Sequence, residues 1–163
     1  MSKEYTVPSK TSVGHVHLKV SNLDRALEFY RDLLGFELTT MYGERAAFLS
    51  AGGYHHHIGL NTWNSAGGPP APRNSAGLYH VAFLYPTRKD LAEILQRLID
   101  AEYPITGASD HGVSEAIYLE DPDGNGVELY RDRPKEEWAY SKGGSVKMVT
   151  EPLDIEDLLG ELN

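Results

Sequence analysis

Cysteine is absent from this 163-residue chain, so neither a disulfide nor a thiolate metal site can form. Long apolar runs are also missing, since no stretch approaches the ~18 apolar residues that a membrane helix needs. Met1 to Tyr5 contain no apolar signal region, so we expect a cytoplasmic protein. Basic residues number only 15 against 24 acidic ones, and the net charge of −9 argues against nucleic-acid binding, which needs a basic surface.

Hydrophobic residues make up 40% of the chain, which is enough to bury the core of one domain. Residues 64–77 are rich in Gly, Pro, Ser and Ala, a composition typical of a linker. They predict a first module at about 13–63 and a second at about 78–131. The tail, 132–163, lies outside both and ends in an amphipathic helix expected to dock on the body or on a second subunit.

The second module repeats the order of the first: strand, helix, strand, strand, strand. Each first strand carries a histidine near its start, and matching His15 to His80 also aligns the helix-capping signals, Ser21-Asn22 and Pro86-Thr87. The predicted capping pairs are Ser21 with Asp24 and Thr87 with Asp90. The predicted fold class is therefore α+β, with two tandem βαβββ modules forming a concave, partly open mixed β-sheet barrel with helices outside. The predicted first strands span 13–20 and 78–85.

A strong turn signal lies in the second module, in the run Asp121-Pro122-Asp123-Gly124-Asn125-Gly126. The apolar segments on either side predict a β-hairpin. Glu128 then falls in the returning strand between two apolar residues, where a carboxylate is uncommon unless it faces a partner or a metal.

The duplication predicts a site with four corners around a pseudo-twofold axis, namely His15, Gly59, His80 and Glu128. Strand alternation directs the two histidines and Glu128 away from the apolar face of each sheet. Two imidazoles and a carboxylate can bind a divalent metal on one side, and Gly59 would leave further positions open for a bidentate substrate and O₂ or water. The alternative interpretation is two hydrogen-bonded interior histidines, with Glu128 paired to a Lys or Arg.

The chain resembles the vicinal oxygen chelate superfamily over about 13–131, and most of all its catechol 2,3-dioxygenase group. The resemblance implies an extradiol ring-cleaving dioxygenase that acts on a catechol-like aromatic diol with O₂ and holds Fe(II), or else Mn(II), Zn or Ni. It implies His15, His80 and Glu128 as the metal ligands. The matching motifs are Gly14-His15-Val16-His17-Leu18-Lys19-Val20, His55-His56-His57-Ile58-Gly59, Leu78-Tyr79-His80-Val81, and Asp110-His111-Gly112 through Tyr118 to Glu128.

The resemblance also implies three catalytic residues. Tyr118 lies ten residues before Glu128, the spacing of the family's active-site tyrosine, and His111 matches a further active-site histidine if a two-residue gap is allowed. His56 matches the acid/base histidine. Strict alternation would instead favour His57, unless a bulge intervenes or the strand starts after His56.

Two other functions share this fold. One is a glyoxalase-like metal-dependent lyase, isomerase or thiol transferase, and the other is a non-enzymatic dimer that sequesters small molecules, as bleomycin-resistance proteins do. The resemblance also implies a homodimer, in which the metal site is built either within one chain or across two.

Overall fold

A computed structural model describes residues 4–163 of the chain as nine strands and three α-helices. The strands of the first half are β1 Val16–Lys19, β2 Glu37–Tyr42, β3 Ala46–Ser50 and β4 Ile58–Asn61. Those of the rest are β5 Val81–Leu84, β6 Ile105–Asp110, β7 Ser114–Glu120, β8 Gly126–Asp132 and β9 Glu151–Pro152. The α-helices are α1 Leu23–Leu27, α2 Arg88–Asp100 and α3 Ile155–Leu159.

The strands form two separate sheets, one for each half of the chain. The first has the order β1-β4-β3-β2, and the second has the order β5-β8-β7-β6-β9. In each half the first strand lies parallel to the last one, and the other pairs are antiparallel. The α+β class and the two βαβββ modules are thus confirmed, with two open sheets in place of a closed barrel.

The helices of the two halves begin at equivalent residues but differ in form. Thr87 and Asp90 make a capping box at the start of α2, as the sequence predicts. The predicted cap of α1 at Ser21 is wrong, because Asn22 accepts the hydrogen bond from the Arg25 backbone N–H. Asn22 and Thr87 are as far apart in sequence as His15 and His80, so the correction tightens the repeat. After Leu27, α1 widens into a π-helix, Glu28–Leu33.

The strands begin later than the apolar pattern predicts. Val16 starts β1 and Val81 starts β5, so His15 and His80 each lie just before a strand. The alternation of side chains along the strand therefore does not determine which way these histidines face. Ile58 starts β4, which places residues 55–57 in an irregular segment. The predicted starts at 13 and 78 are therefore wrong, and alternation does not decide which way His56 faces.

The two halves are joined by polar contacts as well as by a shared apolar core. The Tyr30 hydroxyl, fully buried on the π-helix, donates to the carboxylate of Asp121 at 2.9 Å. Arg25 on α1 pairs with Asp123 at 2.7 Å. From the other side, Arg97 of α2 donates to the backbone carbonyls of Asp32 and Leu33. The turn of the predicted hairpin therefore also fastens one half to the other.

The tail does more than cover the body. Its strand β9 extends the second sheet by pairing with β6, and Leu158 of α3 is fully buried against the core. A 3₁₀ turn, Gly160–Leu162, follows α3. Within the described residues, every helix is too short or too polar to cross a bilayer.

Candidate functional site

Glu128 is the buried carboxylate at the centre of the candidate site. Its neighbours in β8, Val127 and Leu129, belong to the core, so alternation sends Glu128 to the opposite face of the sheet. The hairpin register pairs Glu128 directly with Tyr118 across β7 and β8. The ten-residue spacing in the sequence is therefore a cross-strand contact, in which the Tyr118 hydroxyl lies 3.2 Å from Glu128 Oε1.

His80 approaches the same carboxylate from the neighbouring strand. Its Nε2 lies 2.8 Å from Glu128 Oε2. Gly126 makes this approach possible, because a Cβ at that position would collide with the backbone carbonyl of Tyr79 and lie 3.2 Å from the Cα of His80. The glycine that ends the turn thus also lets the start of β5 pack against β8.

A second histidine continues the network beyond Tyr118. His111, in the short loop between β6 and β7, places Nε2 at 2.6 Å from the Tyr118 hydroxyl and Nδ1 at 2.7 Å from the Val149 carbonyl. Partial burial, and then the charge of Glu128, raise the pKa of Tyr118 to about 12. Tyr118 is therefore a neutral hydroxyl at physiological pH, able to donate one hydrogen bond.

His15 and His56 lie together in the first half. Their ring centroids are 4.4 Å apart, and His56 Nδ1 lies 2.8 Å from His55 Nδ1. Desolvation, and then the nearby His15, lower the pKa of His56, which favours a neutral imidazole. His57 points to a different partner, since its Nδ1 accepts from the Ala51 backbone N–H at 3.2 Å.

The fourth predicted corner, Gly59, is not open. Gly59 pairs with His17 across β1 and β4, and a Cβ on Gly59 would lie 2.9 Å from the His17 ring. The His17 ring therefore fills the space beside Gly59, and the open coordination positions expected there stay a prediction. The second half shows the reverse pattern, since the small Ala82 pairs with Glu128 and leaves space for its carboxylate.

The two histidine groups meet at one cleft between the facing edges of β1 and β5. Its volume is about 1130 Å³, and His15, His57 and His80 line it together with apolar side chains that include Val16, Phe36 and Phe83. Across residues 4–163, however, no three histidine, aspartate or glutamate side chains stand close enough to hold a metal ion. The structure thus joins His80, Glu128, Tyr118 and His111 into one network and leaves His15 with His56.

Sequence reasoning missed two features that hold this network in place. The tail was expected only to dock, yet Val149 contacts His111 directly. Glu115, buried in β7, binds Arg88, Arg131 and Arg133 within 3.2 Å. The available signal was a glutamate next to the apolar run Ala116-Ile117, with Arg131 in the strand that returns beside it and Arg133 just after that strand.

The chain is similar to several known proteins. Residues 12–129 match the model of the Glyoxalase/Bleomycin resistance protein/Dioxygenase superfamily. The chain is 42% identical over 156 residues to a catechol-2,3-dioxygenase of Bacillus subtilis. It is 33% identical to a biphenyl-2,3-diol 1,2-dioxygenase of Rhodococcus globerulus, covering 80% of this chain and 70% of that protein.

A more distant relative is a metallothiol transferase of Staphylococcus epidermidis, 31% identical over 81% of this chain and 89% of that protein. Among solved structures, a glyoxalase/dioxygenase-type domain from Frankia superposes with a TM-score of 0.62 at 24% identity. That match covers 77% of this chain and the whole of the Frankia domain, and it shows a shared fold. The Bacillus match covers 96% of this chain but only 54% of the relative, so the chain spans about half the length of that dioxygenase.

Proposed function

The chain belongs to the Glyoxalase/Bleomycin resistance protein/Dioxygenase superfamily, and from that premise we propose that it is a metal-dependent extradiol dioxygenase. Its substrates would be a catechol-like aromatic diol and O₂. The observation that carries the proposal is the continuous series of contacts from His80 through Glu128 and Tyr118 to His111. The names of the dioxygenase relatives support the same reaction class.

The donor chemistry of the site suits a divalent metal. His80 Nε2 and Glu128 Oε2 lie 2.8 Å apart, so an imidazole and a carboxylate are close enough to hold one divalent metal ion together. We propose His80, Glu128 and His15 as the ligands and Fe(II) as the metal, with Mn(II), Zn and Ni as alternatives.

His15 has to reach the His80–Glu128 pair to complete this set. Both histidines line the same cleft, so closure of the cleft would bring His15 closer within one chain. A second copy of the chain would supply His15 instead if the protein is a homodimer, which we also propose. The cytoplasmic location stays a prediction.

The remaining site residues would bind and orient the diol. When bound, the metal would draw the diol oxygens toward it and make them more acidic. His56, whose pKa is lowered by its surroundings, would accept a proton beside His15, and Tyr118 and His111 would supply a hydroxyl and an imidazole for the substrate oxygens. The apolar wall of the cleft would hold the aromatic ring and exclude water.

Metal analysis combined with oxygen uptake tests this function. Protein purified without oxygen and loaded with Fe(II) should consume O₂ when catechols are added and form a yellow ring-fission product. Glu128→Ala and His80→Ala should lose the metal, whereas Glu120→Ala, on the same hairpin but partly exposed beside Arg73, should keep it. Unchanged metal content in Glu128→Ala contradicts the ligand assignment, and iron-loaded protein that consumes no O₂ contradicts the reaction.

A mixing experiment locates His15. His15→Ala and Glu128→Ala proteins are unfolded together, refolded together and analysed for metal. If the site spans two copies, mixed dimers regain one intact site and bind metal, whereas a site within one chain stays broken in every molecule. If the His15→Ala protein by itself binds as much metal as the wild type, His15 is not a metal ligand.

The metallothiol transferase relative supports a second candidate, thiol transfer at the same metal site. The two functions differ in what they consume. A thiol transferase uses up a thiol and leaves O₂ and catechols untouched, so parallel assays on one metal-loaded sample separate them.

A further inference from the structure

A short tail segment, here called the strap (residues 148–153), lies against the loop that carries His111. It contains β9, in which Pro152 pairs with Ser109 and Glu151 pairs with Asp110. Leu153 at its end is buried in the core. The strap follows both βαβββ modules in sequence, so the repeat itself assigns it no role.

Val149 in the strap makes two hydrogen bonds to His111. Its backbone N–H donates to the His111 carbonyl at 3.1 Å, and its own carbonyl lies 2.7 Å from His111 Nδ1. A carbonyl oxygen can only accept, so Nδ1 must carry the proton. A neutral His111 then presents a bare Nε2, which can only accept.

The bare Nε2 determines where the Tyr118 hydroxyl proton points. Nε2 lies 2.6 Å from the hydroxyl, whereas Glu128 Oε1 lies at 3.2 Å. Tyr118 has one proton to donate, so His111 Nε2 and Glu128 Oε1 compete for it as acceptors. The shorter contact draws the proton toward Nε2 and weakens the hydrogen bond to Glu128.

The strap is anchored firmly enough to act as a positioning element. Beyond it, Asp157 and Glu161 pair with Arg88 at 2.6 and 2.8 Å. On the other side of the His111 loop, Arg133 pairs with Asp110, which also accepts from the Gly112 backbone N–H. Both the loop and the strap are thus held from outside the site.

We propose that the strap positions the site through His111: the Val149 carbonyl selects the Nδ1–H tautomer, which makes Nε2 an acceptor that competes with Glu128 for the Tyr118 hydroxyl proton. Val149 is a positioning residue in this scheme. The tautomer is a property of the metal-free chain, and only its catalytic value rests on the proposed dioxygenase function.

Ring-nitrogen NMR on the full chain without metal tests the tautomer directly. Histidine labelled with ¹⁵N is measured about two pH units above the ordinary imidazole pKa of ~6.5, where the rings are neutral. The signals of His111 are identified by their loss in His111→Gln. We expect its proton on Nδ1, and a proton found on Nε2 overturns the proposal.

Two proline variants test the role of the strap. Val149→Pro removes the N–H that donates to His111, whereas Met148→Pro is the matched control, because Met148 donates no backbone hydrogen bond within residues 4–163. The Nε2–H form should appear in Val149→Pro and not in Met148→Pro. A folded Val149→Pro protein with the wild-type tautomer overturns the proposal; if this variant does not fold, the wild-type tautomer alone decides.

Kinetics separate the failure of this proposal from failure of the function. In iron-loaded protein, Val149→Pro should lower kcat about 10- to 100-fold with unchanged metal content and KM. Unaltered kcat in a variant whose tautomer has changed overturns the positioning role. A wild-type protein with the Nδ1–H tautomer but no activity on catechols contradicts the proposed function and leaves the tautomer assignment standing.

Discussion

Strands β1 and β4 of the first half pair His17 with Gly59, whereas β5 and β8 of the second half pair Ala82 with Glu128. Each pair joins one large residue to one small residue. The large residue lies on the first strand in the first half and on the last strand of the module in the second half. At Gly59 the ring of His17 already occupies the space that a larger side chain would need. The same backbone frame therefore presents a covered corner in one half and a carboxylate in the other.

The outer edges of the two sheets differ as well. In the second half β6 is covered in part by β9, whereas β2 in the first half pairs only with β3 and all six of its residues are exposed.

The turns differ too, since Asp121 and Asp123 reach across to the first half and the equivalent turn near Gly52 contains no carboxylate. The second half thus carries the network from His80 to His111 together with the turn carboxylates and the additional edge strand.

The largest expected effect comes from making the two corners alike. Gly59→Glu forces a charged side chain against the His17 ring in a buried strand, and we expect a loss of about 3 kcal/mol in the free energy of unfolding. His17→Ala in the same chain should recover much of that loss, because it copies the Ala82–Glu128 pair. Urea unfolding of both single variants and the double variant measures the coupling between the two positions. If the changes in the free energy of unfolding simply add, the two side chains do not compete for the same space.

A smaller effect is expected from the contact that joins the halves. Tyr30→Phe leaves the buried Asp121 without one donor and should cost about 1–2 kcal/mol in urea unfolding. Burial, followed by the charge of Asp121, raises the pKa of Tyr30 well above 10, so the wild-type advantage is full below about pH 10 and declines at higher pH. The matched control is Tyr103→Phe, whose hydroxyl donates to Glu120 within the second half. A gap between wild type and Tyr30→Phe that does not narrow above pH ~10 contradicts this assignment.

The smallest effect concerns the sheet edges. Residues 109–110 of β6 are flanked on both sides, so their amides should exchange with deuterium about tenfold more slowly than those of β2. Leu158→Ala, which loosens the docking of α3, should reduce that difference. Equal exchange at the two edges in the wild-type protein would show that β9 gives no protection.

Much of the candidate site follows from local pattern. The turn chemistry around Gly124 and the apolar residues beside Glu128 predict the hairpin, and its register makes the spacing between Tyr118 and Glu128 a contact. Element order in the two halves was equally readable, because capping and periodicity involve only near neighbours in sequence. The roles of His15, His56, His80, His111, Tyr118 and Glu128 remain proposals.

Residues a few positions apart were enough to predict the α+β class, the duplicated order of elements, the hairpin and the family resemblance. The packed structure was needed to show that β1 and β5 start late, that His17 fills the corner at Gly59, and that Val149 reaches His111. It also decided that His80 meets Glu128 while His15 lies with His56. These contacts join residues far apart in the chain, and their distances depend on how two sheets and a tail pack, which local periodicity does not encode.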